Sequence, residues 1–162
     1  MKERIPKMDH CPLCGAMGMG VRAIKDHEFY TSLGTFVIEG QVLVDECKKC
    51  KEQFFSGELF GRWHRMILRL LLKKPRILSS AELRFIFSVL PYTQTELAKA
   101  VGKERSTLTR YKTGENPIDP LFDDALKQII IDFLAGTETT LDRLRARDSI
   151  EVQDEPVRRL KA

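Results

Sequence analysis

The four cysteines of this chain come in two pairs, Cys11-Pro12-Leu13-Cys14 and Cys47-Lys48-Lys49-Cys50. A two-residue gap lets both sulfurs of a pair reach one ion. Two such pairs supply the closed tetrahedral set of a structural zinc site, which leaves no open position for a substrate. Cys11, Cys14, Cys47 and Cys50 are therefore expected to hold one Zn2+ per chain in a structural role. The interval between the pairs is longer than in compact fingers, so the chain between them must fold as a small hairpin of its own. The competing readings are two disulfides or four free thiols. Neighbouring Cys-x-x-Cys bridges are strained, and nothing in the sequence points to secretion.

A second group with chemical meaning lies at 94–114. Counting from Gln94, Leu97 and Ala98 come fourth and fifth, Val101 eighth, Gly102 ninth, Leu108 fifteenth and Tyr111 eighteenth. This is the spacing of a helix-turn-helix. Two helices cross closely at a small residue, Ala98, and a glycine free to take positive φ makes the turn. Leu97, Val101, Leu108 and Tyr111 bury the inner faces. What remains outward on the second helix is Glu104, Arg105, Ser106, Thr107, Thr109 and Arg110. Such a helix sets its first residues against base edges while the first helix crosses the backbone. The expected DNA-binding set is Gln94, Arg105, Ser106, Thr107, Thr109 and Arg110, with Gln94 and Arg105 on phosphates and Arg110 on a base.

The elements that must position these residues divide the chain into a zinc-binding module (9–56), a helical connector (57–76), a helix-turn-helix domain (79–135) and a mobile charged tail (136–162). In the first, Phe29-Tyr30, Thr35 to Ile38 and Val42 to Asp45 read as strands punctuated by Gly34 and Gly40. In the connector, Phe60 to Leu72 reads as one helix with Trp63, Ile67, Leu70 and Leu71 on a stripe, ended by Pro75. Its face is expected to pack on a neighbouring domain or a second subunit. Arg62, Arg65, Arg69, Lys73, Lys74 and Arg76 give six cations with no acid between them, a solvated face or a phosphate contact.

In the third part, Ser79 or Ser80 caps a helix whose core face is Leu83, Ile86, Phe87 and Leu90. Thr93 to Glu96 is a capping box, opening a helix Gln94–Val101; a third helix runs from Arg105 to Thr113 and stops at Gly114. A last helix buries Phe122, Leu126, Ile129, Ile130 and Phe133. In the tail, Leu141 to Arg147 reads as a short helical turn. The fold class expected is α+β: a small β zinc module with four cysteines, joined by a helix to an all-α domain whose helix-turn-helix resembles the Xre/Cro type.

The net charge of +4 permits nucleic-acid binding without demanding it. Lys2, Arg4 and Lys7 are not followed by an apolar run, which argues against a secretory signal, and Met66 to Leu72 is too short to span a bilayer. A cytoplasmic protein without membrane partners is expected. His10 adjoins Cys11, but the cysteines already satisfy zinc. His27 and His64 lack the neighbours that catalysis needs. Met17 and Met19, between glycines, read as a flexible loop, and Asp119, Asp123 and Asp124 as acids at a helix start. With no nucleophile–base pair and no glycine-rich phosphate loop, no catalytic residue is assigned and the chain is not expected to be an enzyme.

The segment from Tyr92-Thr93-Gln94-Thr95-Glu96-Leu97-Ala98 through Gly102 to Ser106-Thr107-Leu108-Thr109-Arg110-Tyr111-Lys112-Thr113-Gly114 resembles the Xre/Cro-repressor family. Joined to a CPxCG…CxxC domain, it resembles the MqsA antitoxins, also called YgiT-type zinc-finger proteins, over residues 9–135. The resemblance implies a structural zinc domain that engages a ribonuclease toxin, and a homodimer that represses its own operon at a palindromic operator in double-stranded DNA. It also implies base reading at the positions of Ser106 and Arg110, where Ser106 replaces the family's asparagine. The apolar surplus for a dimer interface lies in Trp63–Leu72 and around Ile129–Leu134. The expected function is a sequence-specific DNA-binding transcriptional repressor, the antitoxin of a type II pair. The alternative is a zinc-containing interaction adaptor whose helix-turn-helix serves dimerisation rather than DNA reading.

Overall fold

The computed structural model describes residues 9–137 together with Thr140 and Asp142. The tail expected over 136–162 lies almost wholly outside these residues, as does most of the turn at Leu141 to Arg147. The fold is α+β: a three-stranded antiparallel sheet and five helices. The chain divides into two compact units, Met1–Lys73 and Lys74–Ala162.

The first unit is built on two long strands, β1 (Met19–Thr31) and β2 (Gly34–Cys47), with a short β3 (Gln53–Phe54) on the far side of β2. The expected short strands are one ribbon. Gly34, at φ +116°, closes its hairpin, where the Thr31 hydroxyl accepts from Leu33 N at 3.1 Å and donates to Gly34 O at 3.0 Å. Gly40 does not end a strand. It sits in a bulge where the register passes from Lys25↔Gln41 to His27↔Ile38. Gly40 takes φ +97° and Asp26 φ +52°, and the Asp26 carboxylate accepts the Gly40 N–H at 3.0 Å, so the bulge has its own hydrogen bond. The break shifts the in–out phase: sheltered positions fall at Ile24 before it and at His27 and Phe29 after it. The expected loop at Met17 and Met19 is also structured. Met19 pairs with Cys47, and Met17 bridges to His10.

The connector's helix, α1 (Gly57–Leu72), belongs to this first unit and lays its face on the neighbouring sheet, through Trp63 against Phe29 and His27. Ser56 caps it, accepting from Leu59 N at 3.2 Å. Trp63, 2% exposed, is ringed by Phe29, Phe55, Phe60 and His27 at centroid distances of 4.9, 5.8, 5.5 and 5.3 Å. Ile67, Leu68 and Leu71 continue the buried face, while Leu70 is 51% exposed. The stripe leans to the Leu68 side of Trp63; at roughly 100° per residue Leu70 falls about 80° from its centre.

The second unit holds α2 (Ser80–Val89), α3 (Gln94–Ala100), α4 (Arg105–Thr113) and α5 (Pro120–Ala135). Ser79 and Thr93 each close a reciprocal capping box, with Glu82 and Glu96. Gly102 at φ +64° turns the chain between α3 and α4, and Gly114 at φ +82° ends α4. Leu83, Phe85, Ile86, Leu97, Ala98, Leu108, Tyr111, Phe122, Leu126, Ile129 and Ile130 form the core. Phe85 is buried where Phe87 was expected; Phe87 is half-buried, with the Lys112 ammonium 5.5 Å above its ring. Ile129 and Ile130 belong to this core, whereas Ile131 is 46% exposed and Phe133, expected in the core face, is half-buried like Leu134. Asp123 is buried and holds Leu78 N at 2.9 Å and Lys127 Nζ at 2.6 Å, which is a tertiary role rather than only a charge at a helix start.

Candidate functional site

The first knuckle precedes β1 and the second opens on Cys47, the last residue of β2. The antiparallel ribbon therefore brings them together at its open end, in a register that sets Met19 opposite Cys47. The ligand sulfurs of Cys11, Cys14, Cys47 and Cys50 all lie within 4.8 Å of one another and could hold one metal ion. The cysteines are unbridged. Two pairs run in contact between the knuckles, Cys11 to Cys50 at 3.6 Å and Cys14 to Cys47 at 3.7 Å. A tetrahedron with metal–sulfur bonds of about 2.3 Å has edges of about 3.8 Å, so the spacing fits such an ion. His10 is not part of this group.

The two knuckles share one backbone design. Cys11 N donates to Ala16 O and Gly15 N to Cys11 O; Cys47 N donates to Glu52 O and Lys51 N to Cys47 O, each at 2.9 Å. Amides point at the sulfurs: Cys14 N lies 3.5 Å from Cys11 Sγ. The amides of Cys50 and Lys49 bring the Cys47 thiol down to about 6. The Glu52 amide favours the Cys50 thiolate, but burial and the neighbouring sulfurs push that thiol up to about 12. Four sulfurs in contact cannot all carry charge unless a cation sits among them, and amide donors aimed at them suit that state.

In the second unit, Arg105, Ser106, Thr109 and Arg110 are exposed on α4, as expected, while Thr107 is half-buried. Leu97, Ala98, Leu108 and Tyr111 are buried and Val101 is half-buried. Gln94 does not present a free amide. Its Nε2 donates to Arg105 O at 3.0 Å and to the Thr109 hydroxyl at 2.8 Å, and its Oε1 accepts from Lys112 Nζ at 3.2 Å. Arg105 O can only accept and Lys112 Nζ can only donate, so the amide orientation follows from chemistry. Glu104 makes no side-chain cap to α4; it accepts from the Ser106 hydroxyl at 3.0 Å. Lys103, at the turn, pairs with Asp119 at 2.7 Å, which raises the lysine and lowers the carboxyl from their ordinary values.

Among the six cations read from the connector, two meet an acid of the second unit. Lys74 and Arg76 bind the buried carboxylate of Glu82 at 2.5 and 2.9 Å. Spacing signals revealed the cysteines and the exposed face of α4. They could not reveal the Gln94–Thr109 bond, which joins residues 15 apart across a turn. No helix among the described residues is long and apolar enough to cross a membrane. Comparison with known protein families, curated proteins and solved structures returns no match to this chain.

Proposed function

We propose that the chain is a cytoplasmic, sequence-specific DNA-binding repressor of the MqsA/YgiT kind, with one structural Zn2+ on Cys11, Cys14, Cys47 and Cys50. The observation that carries this reading is the pair α3–α4, turned by a left-handed Gly102 and presenting Arg105 and Arg110 on the exposed side of α4. In this reading α4 enters the major groove, where an arginine pairs bidentately with guanine O6 and N7. The positive end of the α4 dipole and Arg105 meet the phosphates. Gln94 acts from inside, holding the first turn of α4 to the start of α3. Zinc suits the first unit because four thiolates close its coordination shell and lock the two knuckles without leaving a reactive position.

A homodimer on a palindrome supplies affinity that one short helix lacks. The antitoxin role, with a ribonuclease toxin docked on the zinc module, rests on the family resemblance; finding a toxin gene beside this one would support it. The test is selection of duplexes from a random library by the zinc-loaded full chain. Enrichment of a palindromic site, bound more tightly than random duplex and weakened by salt, is the expected result. No enrichment and a flat salt response would favour the adaptor reading.

A further inference from the structure

Resting on the DNA-binding reading, we propose that Thr109 is a specificity residue that reads the 5-methyl group of a thymine. At about 100° per residue, Thr109 and Ser106 lie between Arg105 and Arg110 on an exposed stripe roughly 140° wide. The centre of the surface that would face the groove floor is thus made of two short side chains, with a long cation on each margin. Both central hydroxyls are already engaged. Ser106 donates to Glu104 at 3.0 Å. Thr109 donates its one proton to Arg105 O at 3.1 Å and accepts from Gln94 Nε2 at 2.8 Å.

A threonine hydroxyl has a single proton, so Thr109 has none left for a base acceptor. What it can still offer a base is one lone pair, which only an N–H donor would fill, and its γ-methyl. In the major groove that group meets one matching feature among the four bases, the thymine C5-methyl. Gln94 therefore acts as a positioning residue. By occupying the hydroxyl, its amide holds the Thr109 rotamer and leaves the methyl as the contact surface.

The test uses the zinc-loaded full chain and its selected duplex, with each thymine replaced in turn by deoxyuridine, which lacks only the methyl. One thymine per half-site is expected to be sensitive, with a loss of about threefold to fivefold, the size of burying one methyl group. In Thr109→Ser, which keeps both hydrogen bonds and removes the methyl, that sensitivity should disappear while binding to the deoxyuridine duplex stays at the parent level. A selected site without thymine, a parent indifferent to every replacement, or a Thr109→Ser variant with undiminished sensitivity would overturn the proposal. Failure to select any duplex would overturn the DNA-binding reading itself, and this inference with it.

Discussion

Gly15 and Lys51 occupy the same place in the two knuckles. Each follows the second cysteine of its pair, each donates its N–H to the carbonyl of the first cysteine at 2.9 Å, and each adopts the left-handed conformation, at φ +67° and +63°. Only one of them is a glycine. Lys51→Gly should therefore be stabilising or neutral for the first unit, and Gly15→Ala should cost about 1 kcal/mol although open space surrounds its α-carbon. Chelator titration followed by fluorescence checks both. A Gly15→Ala variant as resistant as the parent would contradict the strain argument.

Metal loss should act on one unit. Trp63 is the single tryptophan and is buried in the first unit, so its emission reports that unit alone. Strong chelation, or Cys47→Ser, is expected to red-shift Trp63 emission, while the helical signal of α2 to α5 in far-ultraviolet circular dichroism persists. Elemental analysis should find one zinc per chain. Loss of both signals together would show that the units unfold as one.

Glu82 gives the second unit an acid-sensitive point. Burial opposes its ionised form, but the Lys74 ammonium, the Ser79 amide and the Arg76 guanidinium outweigh that and hold the carboxyl at about 2, against an ordinary 4.5. A depressed carboxyl contributes stability that is present above about pH 4.5 and fades as pH falls toward 2. Allowing for the solvent around its two cationic partners, Glu82→Gln should cost about 2 kcal/mol at neutral pH. The variant and parent should converge as pH is lowered through this window, measured by thermal melting of α2 to α5.

Arg110→Ala should weaken binding to the selected duplex by about 1–3 kcal/mol and relax preference at one base pair, whereas Arg105→Ala should weaken binding to all duplexes and reduce the salt slope by about one. Gel shifts with selected and random duplexes at two salt concentrations separate these outcomes. An Arg110→Ala protein with full discrimination removes the base contact.

The parts of the fold that were legible in the sequence are those governed by short-range rules. Thr93 and Glu96 close their capping box, Gly102 and Gly114 adopt positive φ, and α4 runs from Arg105 to Thr113. The four cysteines meet because spacing and hairpin topology agree. Long-range packing set the rest. Gly40 looks like a turn in isolation but is a bulge because β1 continues opposite it, and Leu70 falls outside the buried stripe of α1 because the centre of that stripe depends on where Phe29 lies. Gln94 looked free for a phosphate because nothing near it in sequence reveals Thr109 and Lys112.

The ribbon has a hairpin turn at one end and the cysteine knuckles at the other. With a metal bound, neither end can peel, because each is closed through bonds that link the two strands. The weakest stretch is then in the middle, where the bulge at Asp26 and Gly40 interrupts the ladder. Hydrogen exchange should open such a ribbon from its centre outward, with the fastest strand amides around Asp26 and Glu39. Removing the metal should invert that order, so that exchange advances from Met19 and Cys47 toward the turn. The pattern of exchange would then report which end of the ribbon is clamped.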